Sequence, residues 1–129
     1  MAKGNSAIVI NSNNLFKFYR YWLEFMRPLD PIAQLSPKQL EVLATFLYKR
    51  NEIEKGVVDE KLITKLLWSV DVRNSILESA SISKHNYYNV ISFFKKIGII
   101  VDGDLNKKVI PELVNNKFSL IISFNVEDR

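Results

Sequence analysis

The sequence predicts a single α+β domain that is mainly helical and carries a small β-hairpin near its C-terminal end. Apolar residues recur at helical spacing through most of residues 13–97, which indicates four to five helices around one core. A turn signal containing Gly103 then separates two short apolar runs, as in a hairpin. A chain of 129 residues without cysteine can bury such a core without cross-links, so we expect one domain over residues 1–129.

The N-terminal part combines a short apolar run with a helix that is rich in aromatic residues. Residues 1–12 are predicted to form a strand or arm, because the apolar residues 7–10 are followed by the polar residues 11–14. Residues 13–27 are predicted to form a helix whose aromatic side chains occupy most of its circumference. Such a helix is covered on more than one side, either by the core of its own chain or by another chain.

The middle of the chain, residues 36–97, is predicted to be helical. Three prolines make residues 27–37 a connector, after which Ser36 caps a helix that has Pro37 at its first position. The polar residues 49–56 are expected to form a loop, and Asp59 and Glu60 begin the next helix. The predicted buried side chains of these two helices are Leu40, Leu43, Ala44 and Leu47, then Leu62, Ile63, Leu66 and Leu67.

Residues 70–97 contain two helices joined by a short turn. The first is expected to end near Ser79, and the second, residues 84–97, is capped by Ser83. Its predicted buried stripe is Tyr87, Val90, Ile91, Phe94 and Ile97. This arrangement resembles the helix-turn-helix unit, in which the first helix braces the second.

Residues 98–124 are predicted to form a hairpin and a final strand. Gly98 ends the helix, and Gly103 supplies the positive φ of a tight turn between residues 99–101 and 105–110. The apolar run 118–124 is predicted to be another strand. Helices followed by a helix-turn-helix and a hairpin resemble the winged-helix family, so the fold class is an α+β winged-helix-like domain.

Composition excludes most familiar enzyme classes. His85 is the only histidine, which removes serine-hydrolase triads and metal sites with several histidines, and the absence of cysteine removes thiolate zinc sites. Asp102, Asp104 and Asn106 have the spacing of the first calcium-loop ligands, but Lys107 stands where that loop needs glycine, so a solvated turn is expected. We expect no enzyme activity, no cofactor, no metal and no small-molecule substrate.

The helix 84–97 is a candidate for contacts with double-stranded DNA. The formal net charge is +4, and five lysines between residues 84 and 108 concentrate much of the positive excess there. Amide side chains would hydrogen-bond base edges, and lysines and a serine would contact phosphates. The predicted DNA contacts are Lys84, Asn86, Asn89, Ser92, Lys95, Lys96, Lys107 and Lys108.

Two features of the same helix favour a protein partner instead. No arginine lies between residues 84 and 108, although arginine makes the commonest specific base contact. Tyr88 and Phe93 point outward in the predicted phase, and aromatic anchors are enriched at protein interfaces. The alternative for these two rings is packing under the hairpin. The predicted subunit-interface residues are Phe16, Phe18, Tyr21, Phe25, Tyr88 and Phe93.

Residues 21–29, 35–44, 82–92 and 95–100 together resemble small proteins of crAss-like and related large tailed bacteriophages. The resemblance spans about residues 21–124 and implies either a virion part, notably a small ring or head-tail adaptor subunit, or a regulator of phage genes. A virion part would contact copies of itself and the portal and tail proteins.

The main interpretation is a structural protein of the virion, and the alternative is a sequence-specific DNA-binding regulator. No apolar run is long enough to cross a bilayer, and residues 1–14 lack the apolar core of a signal peptide. We therefore expect no membrane partner. We expect assembly in the host cytoplasm and, for the structural interpretation, location in the virion.

Overall fold

The computed structural model describes residues 9, 11–12, 14–121 and 123–127. Within them the chain forms five helices and one two-stranded antiparallel sheet. The helices are α1 (Leu15–Phe25), α2 (Pro37–Gly56), α3 (Glu60–Leu67), α4 (Val70–Ala80) and α5 (Lys84–Ile97), and the strands are β1 (Ile100–Val101) and β2 (Asp104–Leu105). The predicted class, α+β and mainly helical with a C-terminal hairpin, is confirmed.

Each helix begins at a polar side chain that accepts a hydrogen bond from its first turn. Ser36 and Ser83 cap α2 and α5 as predicted, by accepting from the backbone N–H groups of Gln39 and Asn86. The Gln39 side-chain oxygen accepts a hydrogen bond from the Ser36 N–H at 2.9 Å, which completes a capping box. Asn14, Asp59 and Ser69 cap α1, α3 and α4. The short polar segments between the helices therefore fix where each helix starts.

The core is built around α2, which packs against α1, α3 and α4. Leu40, Leu43, Phe46 and Leu47 are buried on it, and so are Val42 and Ala44 on adjoining faces. Burial on several faces explains why α2 lacks a strong polar side in its first half. The five helices and the hairpin thus share one hydrophobic cluster that extends from Tyr19 to Val109.

The predicted loop at residues 49–56 is wrong, because α2 continues to Gly56. Arg50 is buried there and forms an ion pair with Glu54 one turn later, and Lys49 pairs with Glu52. Pairs at these spacings stabilise a helix. The prediction for α3 is also wrong in part, since Leu62 is exposed whereas Ile63 and Leu67 are buried. The short α3 therefore packs through a narrower face than its sequence indicates.

The hairpin is shorter than predicted. Asp102 and Gly103 both have positive φ, 52° and 78°, as a two-residue type I′ turn requires. The second strand ends at Leu105 rather than continuing to residue 110. Asn106 ends it by donating to the Gly98 carbonyl at 3.0 Å and accepting from the Lys108 N–H, which begins a 3₁₀ turn over Lys107–Val109.

The expected strand at residues 118–124 is not formed over its described residues, which have no regular secondary structure. Phe118 instead packs edge-on against Phe18 and Trp22 of α1, with ring centroids 5.8 and 5.0 Å apart. The chain's own Phe118 therefore supplies part of the second cover that α1 needs. Of the predicted N-terminal strand or arm, residues 1–12, only Val9 and residues 11–12 lie within the described residues, and all three are exposed.

None of the helices in the described part of the chain combines the length and the apolar character needed to cross a membrane.

Candidate functional site

The outward face of α5 is set by the buried side chains on its other side. Tyr87, Val90, Ile91 and Phe94 are buried as predicted, and Ile97 is half-buried. The structure leaves all eight predicted DNA contacts exposed: Lys84, Asn86, Asn89, Ser92, Lys95, Lys96, Lys107 and Lys108. His85 is exposed on the same helix. We call these exposed polar residues of α5, together with Lys107 and Lys108 in the turn that follows the hairpin, the α5 face.

The α5 face carries positive charge that other described residues do not neutralise. Lys84, Lys95, Lys96 and Lys108 form no ion pair within the described ranges, and Lys107 lies 3.6 Å from Glu60. Of the two acids in the hairpin, Asp104 is held by Arg50, whereas Asp102 is exposed and forms no ion pair with a described residue. The free lysines are the side chains that a polyanion would contact.

The two aromatic rings predicted to point outward on α5 behave differently. Phe93 is half-buried against the core, so its predicted outward orientation is wrong, and the alternative of packing on the chain's own core describes it better. Tyr88 is 48% exposed, and its hydroxyl accepts a hydrogen bond from Arg73 Nη1 at 3.0 Å. The ring of Tyr88 also packs edge-on against Tyr87. Neither ring is therefore a free aromatic anchor.

Arg73 is a site residue that the sequence analysis missed. It lies in the first turns of α4, outside residues 84–108, and reaches the α5 face through Tyr88. The sequence signal for it is its position in the first helix of the predicted helix-turn-helix, since that helix packs beside the second. The α5 face therefore contains an arginine, supplied by another helix.

The hairpin is fixed to the helical core by a buried arginine. Arg50 on α2 donates from Nε and Nη2 to the two carboxylate oxygens of Asp104, at 3.2 and 3.0 Å. Burial raises the pKa of Asp104, but the hydrogen bonds from Arg50 and from the Leu105 N–H outweigh burial, so this pKa is lowered overall. Trp68 adds a bond from Nε1 to the Gly103 carbonyl at 2.6 Å. These contacts hold the hairpin beside α5.

An open groove of about 500 Å³ lies next to Arg50 and is lined by side chains that include Tyr19, Asn51 and Glu112. Burial raises the pKa of Tyr19 to about 12, against the opposing effects of Arg50 and Asn51. Tyr19 is therefore a neutral phenol at physiological pH. In the described part of the chain, no group of three or more acidic or histidine side chains could hold a metal ion. Asp104 and Asn106 are engaged with Arg50, Gly98 and Lys108.

The second surface is apolar and begins on α1. Phe16 and Phe18, two predicted interface residues, are half-buried, Phe16 against Tyr48 and Phe18 against Tyr19 and Phe118. Both residues are close in sequence to the buried Tyr19, and both pack against the core of their own chain. Tyr21 and Phe25 are 52% and 54% exposed, and Leu29 just beyond the helix is also exposed. We call Tyr21, Phe25 and Leu29 the α1 patch.

The C-terminal tail, described over residues 119–121 and 123–127, continues the apolar surface. Ile121, Phe124 and Val126 are 84% to 90% exposed. No backbone hydrogen bond joins these tail residues to another described residue. The sequence predicted a strand over residues 118–124, and the exposed apolar side chains of this segment continue to Val126. Exposure of so many large apolar groups is typical of a segment that another surface covers.

Comparison with known proteins adds no relative to this description. No protein-family model matches the chain, and neither a curated protein nor a solved structure matches it significantly. The molecule offers two surfaces to a partner, the polar α5 face and the apolar surface made by the α1 patch and the tail.

Proposed function

We propose that the protein is a structural subunit of a tailed bacteriophage particle, a small ring or head-tail adaptor protein that assembles through its apolar surface. The observation that carries this proposal is the exposure of Ile121, Phe124 and Val126 in the tail together with Tyr21 and Phe25 on α1. Burying one such side chain contributes roughly 1.5–3 kcal/mol. Several of them in one contact provide the driving force for stable association.

The tail begins on the same helix that carries the α1 patch. Phe118 anchors the start of the tail on Phe18 and Trp22. Phe25 follows Phe18 by seven residues, about two helical turns, and therefore lies on nearly the same side of α1. A tail that leaves this point is suited to cover the α1 patch of a second copy.

One charged pair fits this contact between copies. On α1, Glu24 is paired with Arg20 and Arg27, which leaves the exposed Lys17 to face Glu127 of the tail. A tail of one copy on the α1 patch of the next is a heterologous contact, and repetition of such a contact closes a ring when the rotation between copies permits it. The resemblance of residues 21–29 and 35–44 to small crAss-like phage proteins supports a phage origin, and in a virion ring the portal and tail proteins would be further partners.

Sedimentation velocity over a wide range of protein concentration tests the proposal. We expect the wild-type protein to form oligomers and the variant Ile121→Ser/Phe124→Ser to sediment as a folded monomer. Val58→Ser is the matched control, because Val58 is an exposed valine between α2 and α3, away from the tail in sequence. A wild-type protein that stays monomeric with and without phage neck proteins would contradict the proposal.

A second candidate function, binding of double-stranded DNA by a winged-helix regulator, is favoured by one specific observation. All eight side chains predicted to contact DNA are exposed on the α5 face, and four of its lysines have no ion-pair partner among the described residues. Phe93 is half-buried and Tyr88 is bonded to Arg73, so neither ring is a free apolar anchor on this face.

Fluorescence anisotropy of a labelled duplex, titrated with protein at several salt concentrations, tests this candidate. Lys95→Glu/Lys96→Glu is expected to abolish binding without a change in the midpoint of thermal unfolding. Lys61→Glu/Lys65→Glu on α3 makes the same change in charge outside the predicted contact set and should retain most of the affinity. Equal affinity of the two double variants would exclude the α5 face as the DNA-binding surface.

A further inference from the structure

Arg73 lies where α4 meets α5. Its Nη1 donates to the Tyr88 hydroxyl at 3.0 Å, and its Nε is buried without a hydrogen-bond partner in the described structure. No carboxylate among the described residues lies within ion-pair distance of its guanidinium. Arg73 is half-buried, so water hydrates its charge less than that of a surface arginine. An anion beside it would compensate this loss.

The hydrogen bond between Arg73 and Tyr88 leaves donors free on both partners. The Tyr88 oxygen accepts from Arg73, so the phenolic proton remains available for another acceptor. The guanidinium has five N–H donors, of which Nη1 uses one for Tyr88. The two side chains therefore offer an N–H and an O–H close together, which is the donor arrangement that an oxyanion accepts.

The groups around this pair are mostly donors as well. On α5, Lys84 lies one turn before Tyr88 and Ser92 lies one turn after it, and both are exposed. On α4, Asp71 and Glu78 are exposed acids, and neither is paired with Arg73. The side chains that share the outward side of α5 with Tyr88 therefore favour an anion that extends along the helix.

We propose that Arg73 and Tyr88 together bind a backbone phosphate of double-stranded DNA, with the guanidinium and the phenolic O–H directed at its oxygens. The inference rests on the second candidate function and adds to it a contact outside the eight predicted residues. A polyphosphate backbone fits better than a single acidic side chain, because the unpaired lysines of the α5 face extend from residue 84 to residue 108. The position of Arg73 on α4 lets one phosphate contact both helices of the pair.

The test is anisotropy of a labelled duplex of arbitrary sequence, measured against salt concentration for the full-length protein. Arg73→Gln removes the charge, so we expect weaker binding and a log-log salt slope that is smaller by about 0.9, as for the loss of one phosphate contact. Arg73→Lys should restore the slope. Tyr88→Phe removes only a neutral hydroxyl and should weaken binding about fivefold without changing the slope.

Arg27→Gln is the matched control, because it removes an exposed arginine charge next to α1. Its salt slope should equal that of the wild type, and thermal unfolding verifies that each variant is folded. If the wild type binds and Arg73→Gln keeps the wild-type slope, the phosphate site is wrong while DNA binding stands. If the wild type binds no duplex at low salt, both the site and the DNA-binding candidate are wrong.

Discussion

The α5 face and the apolar surface are both built on helices rich in aromatic residues, yet they differ in chemistry. On α5, Tyr87 and Phe94 are buried, Phe93 is half-buried, and Tyr88 is bonded to Arg73, so lysines and amides remain outside. On α1, Tyr21 and Phe25 stay exposed, and the tail adds Ile121 and Phe124. The comparison teaches that the phase of a helix on the core, rather than its number of aromatic residues, determines which partner its outer face suits.

The largest expected effect concerns the support of the α5 face. Asp104→Asn removes the carboxylate that accepts two bonds from the buried Arg50, which keeps Glu54 as an ion-pair partner, and we expect the free energy of unfolding to fall by about 2.5 kcal/mol at neutral pH. Urea unfolding measures this loss. The apolar surface does not depend on this ion pair, so self-association of the folded variant should be unchanged.

At acid pH, the difference in the free energy of unfolding between the wild type and Asp104→Asn should disappear. The folded state lowers the pKa of Asp104 below its ordinary value of 3.8, so its contribution is fully present above that value and is lost as the pH falls through the folded-state pKa. Urea unfolding at stepwise lower pH should show the two stabilities converging below pH 3.8. A difference that persists undiminished in strong acid would contradict the ion pair as its cause.

The second-largest expected effect distinguishes the packed ring of Phe18 from the exposed ring of Phe25 on α1. Phe18→Ala removes a ring packed between Tyr19 and Phe118 and should lower the free energy of unfolding by about 2 kcal/mol, roughly half the cost at a fully buried site. Phe25→Ala, at an exposed position, should change it by no more than about 0.5 kcal/mol but weaken self-association. Chemical unfolding and sedimentation of both variants measure this contrast. The contrast fails if Phe25→Ala unfolds the protein.

The smallest effect concerns the end of the hairpin. Asn106→Ala removes the bond to the Gly98 carbonyl and the cap on the Lys108 N–H, and we expect a loss of about 1 kcal/mol in the free energy of unfolding. Asn106→Asp keeps the cap and loses the donor, so its stability should lie between those of Asn106→Ala and the wild type. Thermal unfolding with the three proteins side by side checks the order.

Local sequence signals predict much of this fold. Ser36 and Ser83 mark helix starts, and the Asp102-Gly103 pair marks the turn, because each acts through groups within a few residues. The continuation of α2 to Gly56 and the early end of β2 depend on partners far away in sequence. Arg50 is buried through Asp104, 54 residues later, and no local pattern indicates that pair.

The same division between local sequence patterns and contacts distant in sequence applies to the candidate surfaces. The exposed set on α5 follows from its apolar stripe, which is a local pattern. Phe18 is half-buried because Phe118, 100 residues later, packs on it. Phe124 is exposed because the described tail residues do not form the predicted strand. Arg73 reaches Tyr88 from another helix, so only the packing of α4 on α5 places it on the α5 face.

The most direct test of the comparison is site-specific photo-crosslinking. A photoreactive phenylalanine at position 124 should give covalent dimers and larger species on irradiation, with mass spectrometry mapping the cross-link to the α1 patch of another copy. The same probe at position 92, on the α5 face, should give only monomers in the absence of DNA. Monomers alone from position 124, or dimers from position 92, would contradict the assignment of the apolar surface to self-association.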